Sequence, residues 1–194
     1  MKVIHPIILA SASPRRRQLL EDLGLSFEII PANTGEEYPK SLSVEEIPVY
    51  IAEEKANSLG NQLKKGKVVI AADTIVVSGS EILGKPADTE DAIRILKALS
   101  GKEHAVITGV SVQAEEWKEN FFEKTIVKFH PLSDDQIKYY VNHYKPFDKA
   151  GAYAIQEWIG MVGIKGIEGD IYNVIGLPVA PLVKILLKRG VITF

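Results

Sequence analysis

Apolar residues along this chain arrive in two rhythms, short unbroken runs and stripes spaced for a helix face. Residues 3–10 form the first run and predict a buried strand. Ser13 then stands as a helix N-cap and Pro14 at the first helical position, with Leu19, Leu20 and Leu23 as the inner stripe and Gly24 as the stop. A second strand is predicted over 26–30 and a turn-rich loop over 31–43. A helix near Pro48 follows, with Val49, Ala52, Ala56, Leu59 and Leu63 on one face. The run KVVIAADTIVV, residues 67–77, is the longest β-branched stretch and predicts a strand buried on both sides. A turn leads from it into a helix begun by Thr89, with Ala92, Ile93, Leu96 and Leu99 inward. HAVITGVSV (104–112) and FFEKTIVKF (121–129) predict two strands joined by a polar stretch from Ala114 to Asn120. Ser133 and Gln136 make a capping box for a helix over 134–144. Residues 148–178 show no regular period, and a last helix is predicted over 178–189 with Val179, Leu182, Val183, Leu186 and Leu187 inside.

Strands and helices alternate early and strands cluster in the middle, so the expected class is α/β with a mixed sheet. No linker or fixed-period repeat appears, and residues 1–194 are read as a single domain, of a length that also permits two small lobes sharing a core. Hydrophobic residues at 46% and charged residues at 25% give a packed core. Lys and Arg, 23 together, nearly balance 25 Asp and Glu, which leaves no general field for nucleic acid or an anionic membrane. Any positive site is therefore local. The absence of cysteine removes disulfides, thiol nucleophiles and cysteine-held zinc. The opening MKVIHPIILA is too short and broken for a signal peptide or membrane span, and the expected location is the cytoplasm.

The standard phosphate motifs are missing. GNQLKKGKV looks like a P-loop, but its spacing is wrong and Val68 stands where Ser or Thr would meet magnesium. What remains are charged groups at the ends of apolar runs. Ser11, Ser13, Arg15 and Arg16 fall where a strand meets a helix N-terminus, a place suited to a polyphosphate, although a capped helix with solvated arginines explains them as well. Asp73 interrupts an otherwise apolar run, where a carboxylate has to be paired or bind a cation. Thr74 takes the opposite face, and a return turn would bring Lys85 back beside Asp73. Glu36 and Glu37 lie in an acidic loop, and Lys55 sits on a Glu-rich helix where an i, i+4 pair is the ordinary reading. In DKAGAYAIQEW (148–158), small residues surround Tyr153 and Gln156, and the Gln amide can meet the edge of a base as donor and acceptor. A Gly-rich turn with a surface Gln fits equally. Taken together the set describes a nucleotide polyphosphate hydrolase.

These residues resemble the Maf family of nucleoside triphosphate pyrophosphatases. The family's S-x-S-P-R-R is met by residues 11–16, and its other blocks by EEK ending at Lys55, ADT (72–74), GKP (84–86), LSGKEHAVITGV (99–110), DKAGAYAIQ (148–156) and GLP (176–178). The resemblance implies cleavage of the α–β phosphoanhydride of a nucleoside triphosphate with Mg²⁺ or Mn²⁺. It also implies two α/β lobes with the site in a cleft between them, similar to inosine triphosphate pyrophosphatases, and a homodimer. It casts Asp73 as proton acceptor, Ser11, Arg15, Arg16, Lys55 and Lys85 as phosphate ligands, and Glu36 with Asp73 as metal ligands. Arg15, Thr74 and Gln156 match the combination that sorts the dTTP- and UTP-cleaving branch, some modified pyrimidine nucleotides included. The family's AYGIQG reads AYAIQE here, with Ala154 and Glu157 in place of glycines. A nucleotide-binding regulator of cell division and a pyrophosphatase of broader taste stay open beside this reading.

Overall fold

The computed structural model describes residues 1–32, 34–35, 37–60 and 66–194. The chain divides into two compact units, one of residues 1–73, 108–123 and 176–194, the other of residues 74–107 and 124–175. Three of their four boundaries fall inside long strands, so each of those strands contributes to both units.

In the first unit the predicted run 3–10 is two strands, β1 (Lys2–Val3) and β2 (Ile7–Leu9). His5 and Pro6 break it, because proline has no N–H to give a ladder. β2 runs parallel to β3 (Phe27–Ile29) and, on its other edge, to β4 (Val68–Ser78), with Leu9 level with Ile29 and Ile70. Helix α1 (Pro14–Asp22) makes the first crossover, and Gly24 past its end is left-handed at φ +70°. The second crossover contains α2 (Glu46–Asn57). Its buried residues are Ile47, Pro48, Ile51, Ala52 and Ala56, which turns the inner face one position away from the predicted Val49. Leu59 is buried just beyond the helix, and residues 61–65, which include Leu63 and the middle of the P-loop-like stretch 60–68, lie outside the described residues. Ala56 and Leu59 close over Ile8, Ala10, Val69 and Ala71.

What seats α2 is a glycine. A Cβ at Gly109, on β6 (Glu103–Gln113), would lie 2.2 Å from the Pro48 carbonyl carbon and 2.2 Å from the Val49 nitrogen. The first turn of α2 therefore rests directly on the strand. Its far end is tied by Gln113 Nε2 donating to Asn57 Oδ1 at 3.1 Å, and its flank by Lys118 and Asn120 of β7 (Lys118–Phe129) bonding Glu53. A helix over Val179–Lys188 belongs to this unit too, as does the β1 pairing with β9 (Ile192–Thr193).

In the second unit β4 turns into β5 (Glu81–Leu83) as an antiparallel hairpin, Val76 opposite Leu83. Helices α3 (Thr89–Leu99) and α4 (Asp134–Tyr144) pack Leu96, Leu99, Ile137 and Tyr140 around Val76 and Val127. The predicted capping box closes α4, Ser133 Oγ accepting from Gln136 N and Gln136 Oε1 from Ser133 N. Residues without sequence period contain a single 3-10 turn (Ala150–Ala152), α5 (Trp158–Gly163), β8 (Ile164–Glu168) and α6 (Ile171–Ile175); α7 (Val179–Lys188) follows. The strand order is β3-β2-β4-β6-β7-β8 with β5 beside β4, parallel at one edge and antiparallel at the other, the mixed α/β sheet expected. No helix of the described residues is long and apolar enough to cross a membrane.

Candidate active site

β2 has β3 on one side and β4 on the other, so the chain leaves it first one way and then crosses back. Open parallel sheets place ligands outside the strand ends at such a reversal. Here Ser11 to Arg16 follow the C-terminal end of β2 and open α1. Ser13 holds the N-cap position with extended backbone, but its side chain makes no capping bond. Ser11 supplies the local order instead: its Oγ accepts from Ser13 N at 3.2 Å and from Arg16 Nη1 at 3.3 Å. Arg16 Nε donates to the Gly176 carbonyl at 2.8 Å, so the guanidinium is oriented by backbone from the GLP block. Arg15 is half-buried. Arg17 belongs to neither contact and pairs with Glu21 on the exposed face of the helix, 2.7 Å away.

Asp73 is 8% exposed on β4 and answers the question its sequence position poses. Lys55 Nζ donates to Asp73 Oδ1 at 2.6 Å. Alternation along the strand puts Asp73 on the face of Val69 and Ala71, the one covered by Ala56, which places the neighbouring Lys55 over it. The helix-surface pair expected for Lys55 is thus replaced by a buried one spanning 18 residues. Glu36 lies outside the described residues. Among the described residues no group of three His, Cys, Asp or Glu side chains stands together as a metal cage. Magnesium, however, takes one or two carboxylates and completes its shell with water and substrate phosphates. A single partly accessible carboxylate such as Asp73 fits that demand.

In the second unit the β4–β5 hairpin folds the chain back along β4 as far as the Val76–Leu83 pair, and Lys85 follows two residues beyond it. Gly84 O accepts from Gly151 N at 3.1 Å, tying the Lys85 turn to the segment that carries Gln156. Gly151 has φ +71°, and a Cβ there would lie 2.9 Å from a Val76 methyl carbon. At Gly151 the absence of a side chain thus serves close packing on β4. Tyr153 likewise points into the core. Its hydroxyl shares a 2.8 Å hydrogen bond with His104 Nε2, and both rings meet Phe129 edge-on. Burial pushes the His104 imidazole down to about 4 and the Tyr153 hydroxyl up, so both stay neutral near pH 7. Gln156 is exposed.

Two contributors were invisible in the side-chain pattern, the Gly176 carbonyl that aims Arg16 and the Gly109 backbone that seats α2. The only signal for either was a glycine inside one of the family blocks.

The chain matches the family described as Maf-like protein over residues 6–189. A dTTP/UTP pyrophosphatase of Cytophaga hutchinsonii is 50% identical over 94% of this chain and 83% of its own length. One from Thermosipho africanus is 49% identical over 96% of this chain and 94% of its own. Among solved structures, the Ham1 protein of Staphylococcus aureus shares the fold at a TM-score of 0.51 and 15% identity, covering 95% of this chain and 99% of that one. Matched over residues 6–189 and about half identical to these relatives over most of its length, this chain belongs to the Maf-like protein family.

Proposed function

We propose that this protein is a nucleoside triphosphate pyrophosphatase that acts in the cytoplasm on dTTP and UTP, cutting between the α and β phosphates. The observation that carries the reading is the buried Lys55–Asp73 pair on the strand next to the one that leads into Ser11 and Arg16. The names of the relatives at about half identity support the substrate.

Ser11, Arg15, Arg16, Lys55 and Lys85 take the phosphates, Arg16 from an orientation already set by Gly176. Asp73 accepts a proton from water as its oxygen attacks the α-phosphorus. The bond from that phosphorus to the bridging oxygen breaks, and pyrophosphate leaves beside the nucleoside monophosphate. Asp73, with Glu36, would hold a divalent cation, which when bound neutralises phosphate charge. Thr74 and Gln156, with Arg15, bear on the base.

The test is pyrophosphate release from a panel of triphosphates with Mg²⁺ or Mn²⁺. dTTP and UTP are expected to lead, and Asp73→Asn to fall about 10²- to 10⁴-fold while still binding nucleotide. Tight binding without release from any triphosphate would replace this reading with that of a nucleotide-binding regulator.

A further inference from the structure

We infer that Tyr140 and Glu157 are positioning residues for Gln156, an inference that rests on the assignment of Gln156 to the base.

Gln156 stands at the tip of a tight turn in which Glu157 N donates to Ala154 O at 3.1 Å. One phenol holds both ends of that turn. The Tyr140 hydroxyl accepts from Ala154 N at 3.2 Å and donates to Glu157 Oε2. Tyr140 comes from α4 and is fully buried, its ring stacked on Tyr144 at 5.0 Å between centroids. The same carboxylate has a second holder: Lys149 Nζ lies 3.4 Å from Glu157 Oε1 and donates to Asp148 Oδ1 at 2.7 Å. Lys149 is only 7% exposed, so its charge is matched by carboxylates on two sides. Beneath the turn, Gly160 N donates to Glu157 O at 2.9 Å, and a Cβ at Gly160 would sit 1.7 Å from the Ile155 carbonyl oxygen. Gln156 lies between these anchors, and its exposed side chain is left to face outward.

The ordinary task of Glu157 would be to cap α5, since it stands at the N-cap. Its side chain makes no capping bond. The carboxylate is turned away from the helix toward Tyr140 and Lys149, a use that a purely helix-starting residue does not need. An exposed Gln amide with freely turning bonds can select a base edge only if its Cα is fixed, because such hydrogen bonds tolerate a few tenths of an ångström.

The experiment compares Gln156→Ala, Tyr140→Phe, Glu157→Gln and Glu157→Gly, reading kcat and KM for dTTP, UTP and CTP, with thermal melts alongside. Gln156→Ala is expected to raise KM for dTTP and UTP and to narrow their lead over CTP. Tyr140→Phe and Glu157→Gly should copy that pattern, raising KM about five- to tenfold with kcat within about twofold. Glu157→Gln, which still accepts from Tyr140, should recover most of the preference. If Gln156→Ala narrows the preference and Tyr140→Phe and Glu157→Gly do not, the inference is overturned and the base assignment stands. If Gln156→Ala leaves the preference untouched, the base assignment falls and the inference with it. Should Tyr140→Phe fail to fold, the Glu157 pair decides on the same readout.

Discussion

Substituting Gly109 by alanine is the sharpest probe of how the fold sets the site. The added methyl carbon would stand 2.2 Å from the Pro48 carbonyl carbon, 2.2 Å from the Val49 nitrogen and 2.4 Å from the Pro48 oxygen. Non-bonded carbons rest at about 3.5–4.0 Å, so α2 would have to retreat by more than about 1 Å. These neighbours are backbone, and no side-chain rotation relieves the overlap. Overpacking of this kind costs about 3 kcal/mol, which for a chain of this size lowers Tm by roughly 6–12 °C. The same retreat carries Lys55, two turns along α2, away from Asp73, and a 2.6 Å hydrogen bond does not survive it. A misplacement of about 1 Å at reacting groups can cost about 10²-fold in rate. Scanning calorimetry and pyrophosphate release should therefore fall together for Gly109→Ala. Gly166→Ala, where the new Cβ meets nothing within 4 Å, should change neither. A Gly109→Ala protein with the parent's Tm and kcat would refute the seating of α2 on this glycine.

Two further outcomes follow from charge and burial. Lys55→Met leaves the Asp73 carboxylate without its ammonium, and should cost about 3 kcal/mol in urea unfolding; adding Asp73→Leu should restore stability to within about 1 kcal/mol while activity stays lost. His104 has its folded pKa depressed from 6.5 to about 4, so the unfolded chain binds this proton first as pH falls. Stability should drop by up to about 3 kcal/mol between roughly pH 6.5 and pH 4, and His104→Phe, less stable at neutral pH, should show a flatter pH profile over that window.

Elements whose cause is local are legible in the order of residues alone. The α4 helix announces itself by Ser133, Gln136 and a clean apolar stripe, and β4 by a long run rich in β-branched residues that only Asp73 interrupts. Elements made by distant contact are not. β1 and β9 are two residues each and exist only because opposite ends of the chain meet. The six residues of α5 are shorter than an isolated helix needs, and they form where Gly160 folds back on Ile155. Of the site, Asp73 is readable because an unpaired carboxylate cannot stay in an apolar strand. Its partner is not, since Lys55 also fits a helix-surface pair and only the parallel sheet brings the two elements together. The Ser13 cap shows the same limit. Its position holds, yet the hydroxyl that orders the turn belongs to Ser11, a choice made by where Arg16 is pulled by Gly176.

The Lys55–Asp73 pair also bears on why the strand carries a charge at all. Its side chains are 15% and 12% exposed, so each ion gives up most of its hydration to sit there. A lysine and an aspartate so placed recover that cost only in part, and well-packed apolar residues of similar volume commonly serve stability as well or better. The neighbours on the same face are Val69 and Ala71, which shows what this strand uses where only packing is at stake. Stability therefore does not account for Asp73. In the proposed role beside polyanionic phosphates, by contrast, the carboxylate would have use for a nearby cation, which makes it tolerable before substrate arrives and offsets phosphate charge afterwards. One ammonium, held over the strand by a helix that a glycine allows to come close, meets both requirements.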